Sequence, residues 1–170
     1  FILILSAYSD SYFIITKYNL PEKNIILSKI YRNYGNYYYF LGHNDSALIY
    51  YNQALRLVAG VNNKDYLQNK SFCYQNIGIV YAKIKDIQKA KYYLKEALQL
   101  KGELFGNIHQ DYAKANLNFG IFLVENEKFI EALDYINKAE NIYSKLYGFD
   151  NIFLAQTLFS KGKILYSNWK

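Results

Sequence analysis

The sequence is poor in the residues that form disulfides, metal sites and helix breaks. It contains one cysteine, one proline and two histidines in 170 residues. A single cysteine cannot form an internal disulfide, so cysteine usage gives no support to an oxidising compartment. No two cysteines or histidines stand at the spacing of zinc ligands, which argues against a metal site. The single proline suits an almost entirely helical chain, because proline interrupts helices.

Residues for catalysis are also scarce. Cys73, His43 and His109 are the only candidates of their types, and a cysteine nucleophile needs a base within hydrogen-bonding distance. The repeat described below places Cys73 early in a helix and the two histidines in different turns. A buried structural thiol is therefore the expected role of Cys73. No glycine-rich run ends in a phosphate-binding lysine, so we expect a non-enzymatic segment without a cofactor.

The positive charge is spread over the chain. The formal net charge is +6, but the lysines are interleaved with acidic residues and form no dense cluster of the kind that binds nucleic acid. The aromatic run at residues 37–40 could stack on bases, yet consecutive residues of a helix point in different directions. We therefore expect a solvated helical surface and no nucleic-acid partner.

A repeat with a nearly constant period is the main feature that the sequence does contain. The glycines at positions 35, 78, 120 and 162 are separated by 43, 42 and 42 residues, and a fixed period of this length is typical of a solenoid. Glycine inside a helix costs about 1 kcal/mol relative to alanine, so its recurrence indicates a close contact between helices. Two alanines follow each of the first three glycines at constant spacings: Ala47 and Ala54, Ala90 and Ala97, Ala132 and Ala139.

Each unit is predicted to contain two helices joined by a polar turn. Residues 71–100 carry one apolar stripe on the first helix and a facing stripe on the second, both at helical spacing. Between them Lys85 and Asp86 predict a turn, with Asp86 as the N-cap of the second helix. Residues 42–45 and 127–128 occupy the same place in the neighbouring units. The stripes are Tyr74, Ile77 and Tyr81 on the first helix, and Leu94, Ala97 and Leu98 on the second.

This pattern of a large residue, glycine, an aromatic residue and alternating alanines resembles the tetratricopeptide repeat. The signature positions are Tyr31, Tyr34, Gly35, Tyr38, Ala47, Tyr51 and Ala54; Tyr74, Ile77, Gly78, Tyr81, Ala90, Leu94 and Ala97; and Asn116, Phe119, Gly120, Leu123, Ala132, Ile136 and Ala139. The period exceeds the common 34 residues, and such long units are similar to those of kinesin light chains and of bacterial arrays that precede a caspase-like CHAT peptidase domain. The resemblance implies an all-α, right-handed superhelical solenoid of antiparallel helix pairs.

The repeat divides the chain into units. Residues 28–70, 71–112 and 113–154 are predicted to be complete repeats, and residues 155–170 the first helix of a truncated fourth. Residues 1–27 have two interpretations: a helix of a preceding repeat, which favours the cytoplasm, or the remnant of a signal segment, which would mean export. The apolar run at their start is too short to span a bilayer. Without an initial methionine, and with an end in mid-repeat, the chain is expected to be a fragment.

The resemblance implies recognition of an unidentified protein or peptide in a concave groove lined by the first helices. Asparagine both donates and accepts hydrogen bonds and can bind a peptide main chain, while basic residues bind carboxylates. The predicted groove residues are Arg32, Asn33, Asn36, Gln75, Asn76, Ile79, Lys114, Asn118 and Ile121. A narrower hypothesis is a clamp for a C-terminal carboxylate, formed by Arg32, Asn36, Asn76 and Lys114, with Asn118 where a second base would stand.

A non-enzymatic protein-interaction scaffold is thus the favoured function. Two alternatives remain open. The segment could be the sensory part of a larger enzyme, a CHAT-type peptidase or a signalling kinase, with its effector domain beyond the fragment. It could also be a structural array that assembles with copies of itself.

Overall fold

Seven α-helices form the part of the chain that the computed structural model describes, which is Phe13, Lys17, residues 23–149 and residues 151–167. These residues contain no β-strand. The two interpretations of residues 1–27 lie outside this part of the chain, apart from Phe13, Lys17 and residues 23–27. The helices are α1 (Lys23–Phe40), α2 (Asn44–Val58), α3 (Lys64–Lys83), α4 (Ile87–Phe105), α5 (Gln110–Glu125), α6 (Phe129–Tyr147) and α7 (Ile152–Ser167).

The helices pack as successive antiparallel pairs. Helix α1 packs on α2, α3 on α4 and α5 on α6, and the second helix of each pair also contacts the first helix of the next. Each first helix contacts the next first helix along the array, whereas α2, α4 and α6 do not contact one another. Elements on the inner side of a curved stack lie closer together than those on its outer side, so α1, α3, α5 and α7 line the concave side. The predicted all-α solenoid is confirmed.

The recurring glycines lie where the two helices of each pair touch. Each of the first three faces the large side chain 16 residues later: Gly35 faces Tyr51, Gly78 faces Leu94 and Gly120 faces Ile136. A Cβ atom on Gly78 would lie 2.7 Å from Leu94 Cγ, and one on Gly120 would lie 2.6 Å from Ile136 Cγ1. Such distances are too short for real Cβ contacts, so the missing side chain permits the observed helix separation. The predicted role of these glycines is confirmed.

The second helices present a matching face of small, large and small residues. In each unit an alanine lies four residues before the large side chain and another lies three residues after it. The six alanines have at most 1% of their surface exposed, because the backbones of the paired helices approach closely there: Ala47, Ala54, Ala90, Ala97, Ala132 and Ala139. Beside this contact aromatic rings meet across the pair, for example Tyr38 stacked on Tyr50 with 5.1 Å between the ring centroids.

The turn inside each pair has one geometry in all three units. It contains a residue with a left-handed backbone, namely Gly42, Lys85 or Glu127, at φ values of 81°, 64° and 59°. The next amide donates to a carbonyl five residues earlier, as in the Schellman ending of a helix. In the central turn this bond joins the Asp86 amide to Tyr81 O at 3.0 Å. Asp86 Oδ1 also accepts from the Lys89 amide, so the predicted N-cap is confirmed.

The turns between units are centred on Gly60, Gly106 and Gly148, which have φ values of 73–75°. The turn at Gly60 comes earlier in its repeat than the other two, because α2 has 15 residues whereas α4 and α6 have 19. Helix α3 is correspondingly long, with 20 residues against 16 in α5 and α7. The predicted unit boundaries at residues 28, 71, 113 and 155 all fall inside first helices, because the glycine register gives the period but not the start of a helix.

Replacing glycine with alanine at two positions separates the effect of the glycine on packing from its effect on helix propensity. We expect Gly78→Ala to lower the free energy of unfolding by about 1–3 kcal/mol, through overpacking against Leu94. Gly162 holds the same register position in α7, but among the described residues no atom outside its own stretch of helix backbone lies within 4 Å of the point where its Cβ would stand. Gly162→Ala should therefore raise stability, by up to about 1 kcal/mol. Urea denaturation of both variants measures the difference, and the same sign for both would contradict the packing role.

Candidate binding groove

Two adjoining cavities open on the concave side of the array. One, of 430 Å³, lies between α5 and α7. The other, of 380 Å³, lies between α3 and α5. Asn118 and Ile121 of α5 line both, Lys114 lines the first and Ile79 the second. Four of the nine predicted groove residues are thus brought together on one surface, which we call the groove.

Asn118 is the polar centre of the groove. Its side chain lies between the two cavities, and its buried Nδ2 atom has no hydrogen-bond partner among the described residues. Leaving a buried donor unsatisfied costs about 1–3 kcal/mol. Because this atom is buried, a peptide carbonyl would reach it only after the Asn118 side chain turned toward the groove, and the bond would then remove that cost.

The groove combines an apolar floor with a basic rim. Leu117, Ile121 and Val124 of α5 line the larger cavity together with Phe153 and Phe159 of α7. The charged residues that line the two cavities are Lys83, Lys85, Lys114, Lys163 and a single acid, Glu125. This excess of lysines favours a ligand that carries carboxylates.

Sequence reasoning missed the contribution of α7. Gln156, Ser160 and Lys163 line the larger cavity, and each stands 42 residues after a predicted groove residue, namely Lys114, Asn118 and Ile121. The repeat period was a sufficient signal to find all three. Phe153 and Phe159 also line this cavity, but hydrophobic patterning alone would assign them to the core.

The predicted asparagines of α1 and α3 are engaged within the protein. Asn36 Oδ1 accepts hydrogen bonds from Asn76 Nδ2 and from the Tyr51 hydroxyl, both at 2.8 Å. Asn33, on the same helix as Asn36, is half-buried. This bridge links α1 to α3, so Asn36 and Asn76 support the spacing of two first helices.

Arg32 also makes its contacts inside the first two units. Its Nη1 donates to Asn69 Oδ1 at 2.5 Å, and its guanidinium lies over the Phe72 ring. Asn69 in turn donates to the buried Ser28 hydroxyl. Arg32 lines a separate cavity of 130 Å³ rather than the two cavities of the groove.

Gln75 does not face the groove as predicted. Only 5% of its surface is exposed, and its Oε1 accepts a hydrogen bond from Lys101 Nζ at 2.6 Å. In α5 the equivalent position, three residues before the glycine, is occupied by the buried Leu117. Gln75 is therefore a structural residue.

Lys101 is a fully buried lysine that sequence reasoning also missed. Its ammonium lies 4.5 Å from the centroid of the Phe72 ring. Its pKa is lowered to about 7, mainly by burial; the nearby Lys114 and Arg32 also lower it, whereas Asp111 acts in the opposite direction. The signal in the sequence was its spacing, since it stands four residues after the buried Ala97 and seven after Leu94.

The three catalytic candidates have structural surroundings. Cys73 is fully buried, and burial raises the pKa of its thiol to about 12, so the nucleophilic thiolate does not form near neutral pH. His43 lies exposed in the turn before α2. His109 is the N-cap of α5, where its Nδ1 accepts from the Asp111 amide at 3.1 Å.

Clusters of metal ligands and membrane-spanning helices are both missing from the described residues. These residues contain no group of three or more His, Cys, Asp or Glu side chains that could hold a metal ion. None of their helices combines the length and the apolar character that a bilayer span requires.

The tetratricopeptide repeat family matches residues 26–103. Over these 78 residues, slightly less than half of the chain, the sequence is similar to tetratricopeptide repeats. The family supports the role of a protein-interaction scaffold. Beyond the matched region, α5, α6 and α7 continue the same helix packing, with Gly120 and Ala132 in the same register.

Solved structures share this fold at low sequence identity. BtubC (BKLC) from P. vanneervenii is 20% identical, with a TM-score of 0.85 over 96% of this chain and 65% of its own. The apo form of RapI is 19% identical, with a TM-score of 0.79 over 97% of this chain and 57% of its own. The chain therefore spans about two thirds or less of either protein. No curated protein matches the sequence.

The buried Lys101 predicts a pH dependence of stability. The ordinary lysine pKa is 10.5 and the folded value is about 7, so between these values the unfolded chain binds more protons and stability rises with pH. Lys101→Met removes this titration while keeping an unbranched side chain. We expect it to raise the free energy of unfolding at pH 7 by about 1–3 kcal/mol.

The advantage of Lys101→Met should shrink from pH 7 to pH 9, because wild-type Lys101 loses its proton over that range. Urea denaturation of both proteins at each pH measures this, and the difference between them cancels the other titrating groups. A difference that stays constant with pH would show that Lys101 keeps an ordinary pKa.

Proposed function

We propose that the chain is a non-enzymatic scaffold that binds an acidic peptide segment of a partner protein in the groove. The observation that carries this proposal is the position of Asn118, whose unpartnered Nδ2 lies between two adjoining cavities. A peptide main chain that crosses α5 at this point presents a carbonyl to the amide. Two of its side chains then enter the cavities on either side.

The apolar lining selects the side chains that enter the cavities. Phe153 and Phe159 lie on one side of Asn118 and Ile79 on the other. Burying aliphatic or aromatic side chains of a ligand against these residues removes apolar surface from water and favours binding. Apolar side chains that flank the contact with Asn118 are therefore the expected anchors.

The lysines select the charge of the ligand. Lys83 and Lys85 lie at one end of the groove, Lys114 and Lys163 at the other. A ligand with acidic residues outside its apolar anchors would place carboxylates near these ammonium groups. Since these contacts are partly exposed, binding should weaken as the salt concentration rises.

A displayed library of random peptides tests the proposal even though the partner is unidentified. Peptides enriched on the wild-type chain should carry apolar anchors and an excess of Asp and Glu. The double variant Lys114→Ala/Asn118→Ala removes one charge-assisted contact and one amide contact, and should bind the enriched peptides about tenfold or more weakly by fluorescence anisotropy.

The matched control is Asn137→Ala/Lys138→Ala, which removes the same residue types from the exposed surface of α6. This variant should bind the peptides as wild type does. Equal affinities for all three proteins, or selection of peptides without acidic character, would contradict the assignment of the groove.

A further inference from the structure

The turns inside the second and third helix pairs carry opposite charges at the same positions of the repeat. Each residue of the turn before α4 corresponds to the residue 42 positions later in the turn before α6. The pairs of opposite sign are Lys85 and Glu127, Asp86 and Lys128, and Lys89 and Glu131. The same segment of two neighbouring units is therefore basic in one unit and acidic in the other.

Each of these turns forms a surface patch together with the first two turns of the helix that follows it. The basic patch consists of Lys85, Ile87, Lys89, Lys91 and Tyr92, and the acidic patch of Glu127, Phe129, Ile130, Glu131 and Asp134. Tyr92 has 55% of its surface exposed, and Ile130 has 87%. Both patches thus combine charges of one sign with exposed apolar side chains.

The exposure of the patches is a property of their place in the repeat. The pair of α3 and α4 has a neighbouring pair on either side, yet every residue of the basic patch is exposed. The positions equivalent to the acidic patch, which are residues 85, 87–89 and 92, are exposed as well. Neighbouring units therefore leave this surface uncovered.

A cavity of 640 Å³ lies at the acidic patch. Its apolar lining includes Phe129 and Leu133, and the three acids of the patch line it against a single base, Lys128. Carboxylates beside an apolar surface favour a ligand with basic groups around an apolar side chain. The basic patch, which places Ile87 and Tyr92 among its lysines, has this composition.

The opposite charges of the two patches do not meet within one copy of the chain. Lys89 Nζ lies 2.9 Å from Asp86 Oδ2 in its own turn, and no ion pair among the described residues joins the basic patch to the acidic patch. An exposed pair such as Lys89 and Asp86 contributes little to stability, and an ammonium group has three donors. Lys89 can therefore bind a second carboxylate.

We propose that the chain forms a symmetric dimer in which the basic patch of each copy binds the acidic patch of the other. Helices α4 and α6 run in the same direction, because each is the second helix of an antiparallel pair. A two-fold axis that lies between them and parallel to them places the α4 of one copy opposite the α6 of the other. Every contact is then made twice, so the assembly closes as a dimer.

A second copy matches the acidic patch position by position. The residues that oppose each other across the axis are Lys85 and Glu127, Ile87 and Phe129, Lys89 and Glu131, and Tyr92 and Asp134. Two of these contacts are ion pairs, one is apolar, and in the last a tyrosine hydroxyl can donate to a carboxylate. An unrelated basic peptide would supply the charge but not this register.

Exchanging the charges between the two turns tests the proposal. Lys85→Glu/Lys89→Glu makes both patches acidic, and Glu127→Lys/Glu131→Lys makes both basic. Each introduced residue already stands at the same position of the other turn, including the position with the left-handed backbone. Both double variants are therefore compatible with the fold, which circular dichroism checks.

Sedimentation of the wild-type chain from about 10 µM to about 1 mM should show a monomer–dimer equilibrium, since the interface is small. Rising salt should weaken the dimer, because its ion pairs are exposed. Each double variant should dimerise about tenfold or more weakly, since like charges then face each other. An equimolar mixture of the two variants should form a heterodimer, and the quadruple variant should dimerise as wild type does.

Two control variants should dimerise as wild type does. Lys64→Glu/Lys145→Glu reverses two exposed lysines at the opposite edge of the array, beside the turns between units. The groove variant Lys114→Ala/Asn118→Ala leaves both patches intact. Because Lys85 borders the groove as well as the basic patch, this second control keeps the test independent of the proposed function.

Several results would overturn the proposal. They are a wild-type chain that stays monomeric at about 1 mM, dimerisation of either double variant alone with wild-type affinity, a mixture of the two variants that stays monomeric, or loss of the dimer in a control variant. A lysine-rich peptide that binds the acidic patch of a monomeric chain would make a separate basic partner the occupant.

Discussion

The contact between each first-helix glycine and a large side chain of the second helix sets the helix separation in every pair. At Gly35, Gly78 and Gly120 there is no room for even one additional carbon atom. Because a solenoid unit contacts only its neighbours, this local spacing is transmitted along the array. The first helices then meet on the concave side, and the second helices stay apart. Residues in equivalent positions of α3, α5 and α7 consequently form one continuous surface.

Polar side chains beside the recurring glycines have different surroundings. Asn118 stands two residues before Gly120 and lines both cavities, whereas Gln75, three residues before Gly78, is buried against Lys101. A shift of one residue turns a helical side chain by about 100°. The polar residues of the array therefore form two groups, one that lines the groove and one in an internal network around Lys101 and Arg32.

The sequence was sufficient for the architecture but only partly for the groove. Recurring glycines and alanines predict the helix pairs and the capped turn at Asp86, because these depend on local spacing. Extending the repeat period to α7 also predicts that Ser160 and Lys163 line the groove. Burial of Gln75 and the bond between Asn36 and Asn76 depend instead on how one pair is rotated against the next. That rotation is a property of the assembled stack and leaves no periodic signal.

A double-mutant cycle on one glycine contact tests the central claim most directly. Ile136 Cγ1 is the atom nearest to a Cβ on Gly120, so Ile136→Ala removes the obstacle that Gly120→Ala meets. We expect the double variant to lose less free energy of unfolding than the two single variants lose in total, by about 1 kcal/mol or more. Additive losses in urea denaturation would show that this contact does not set the spacing of the helices.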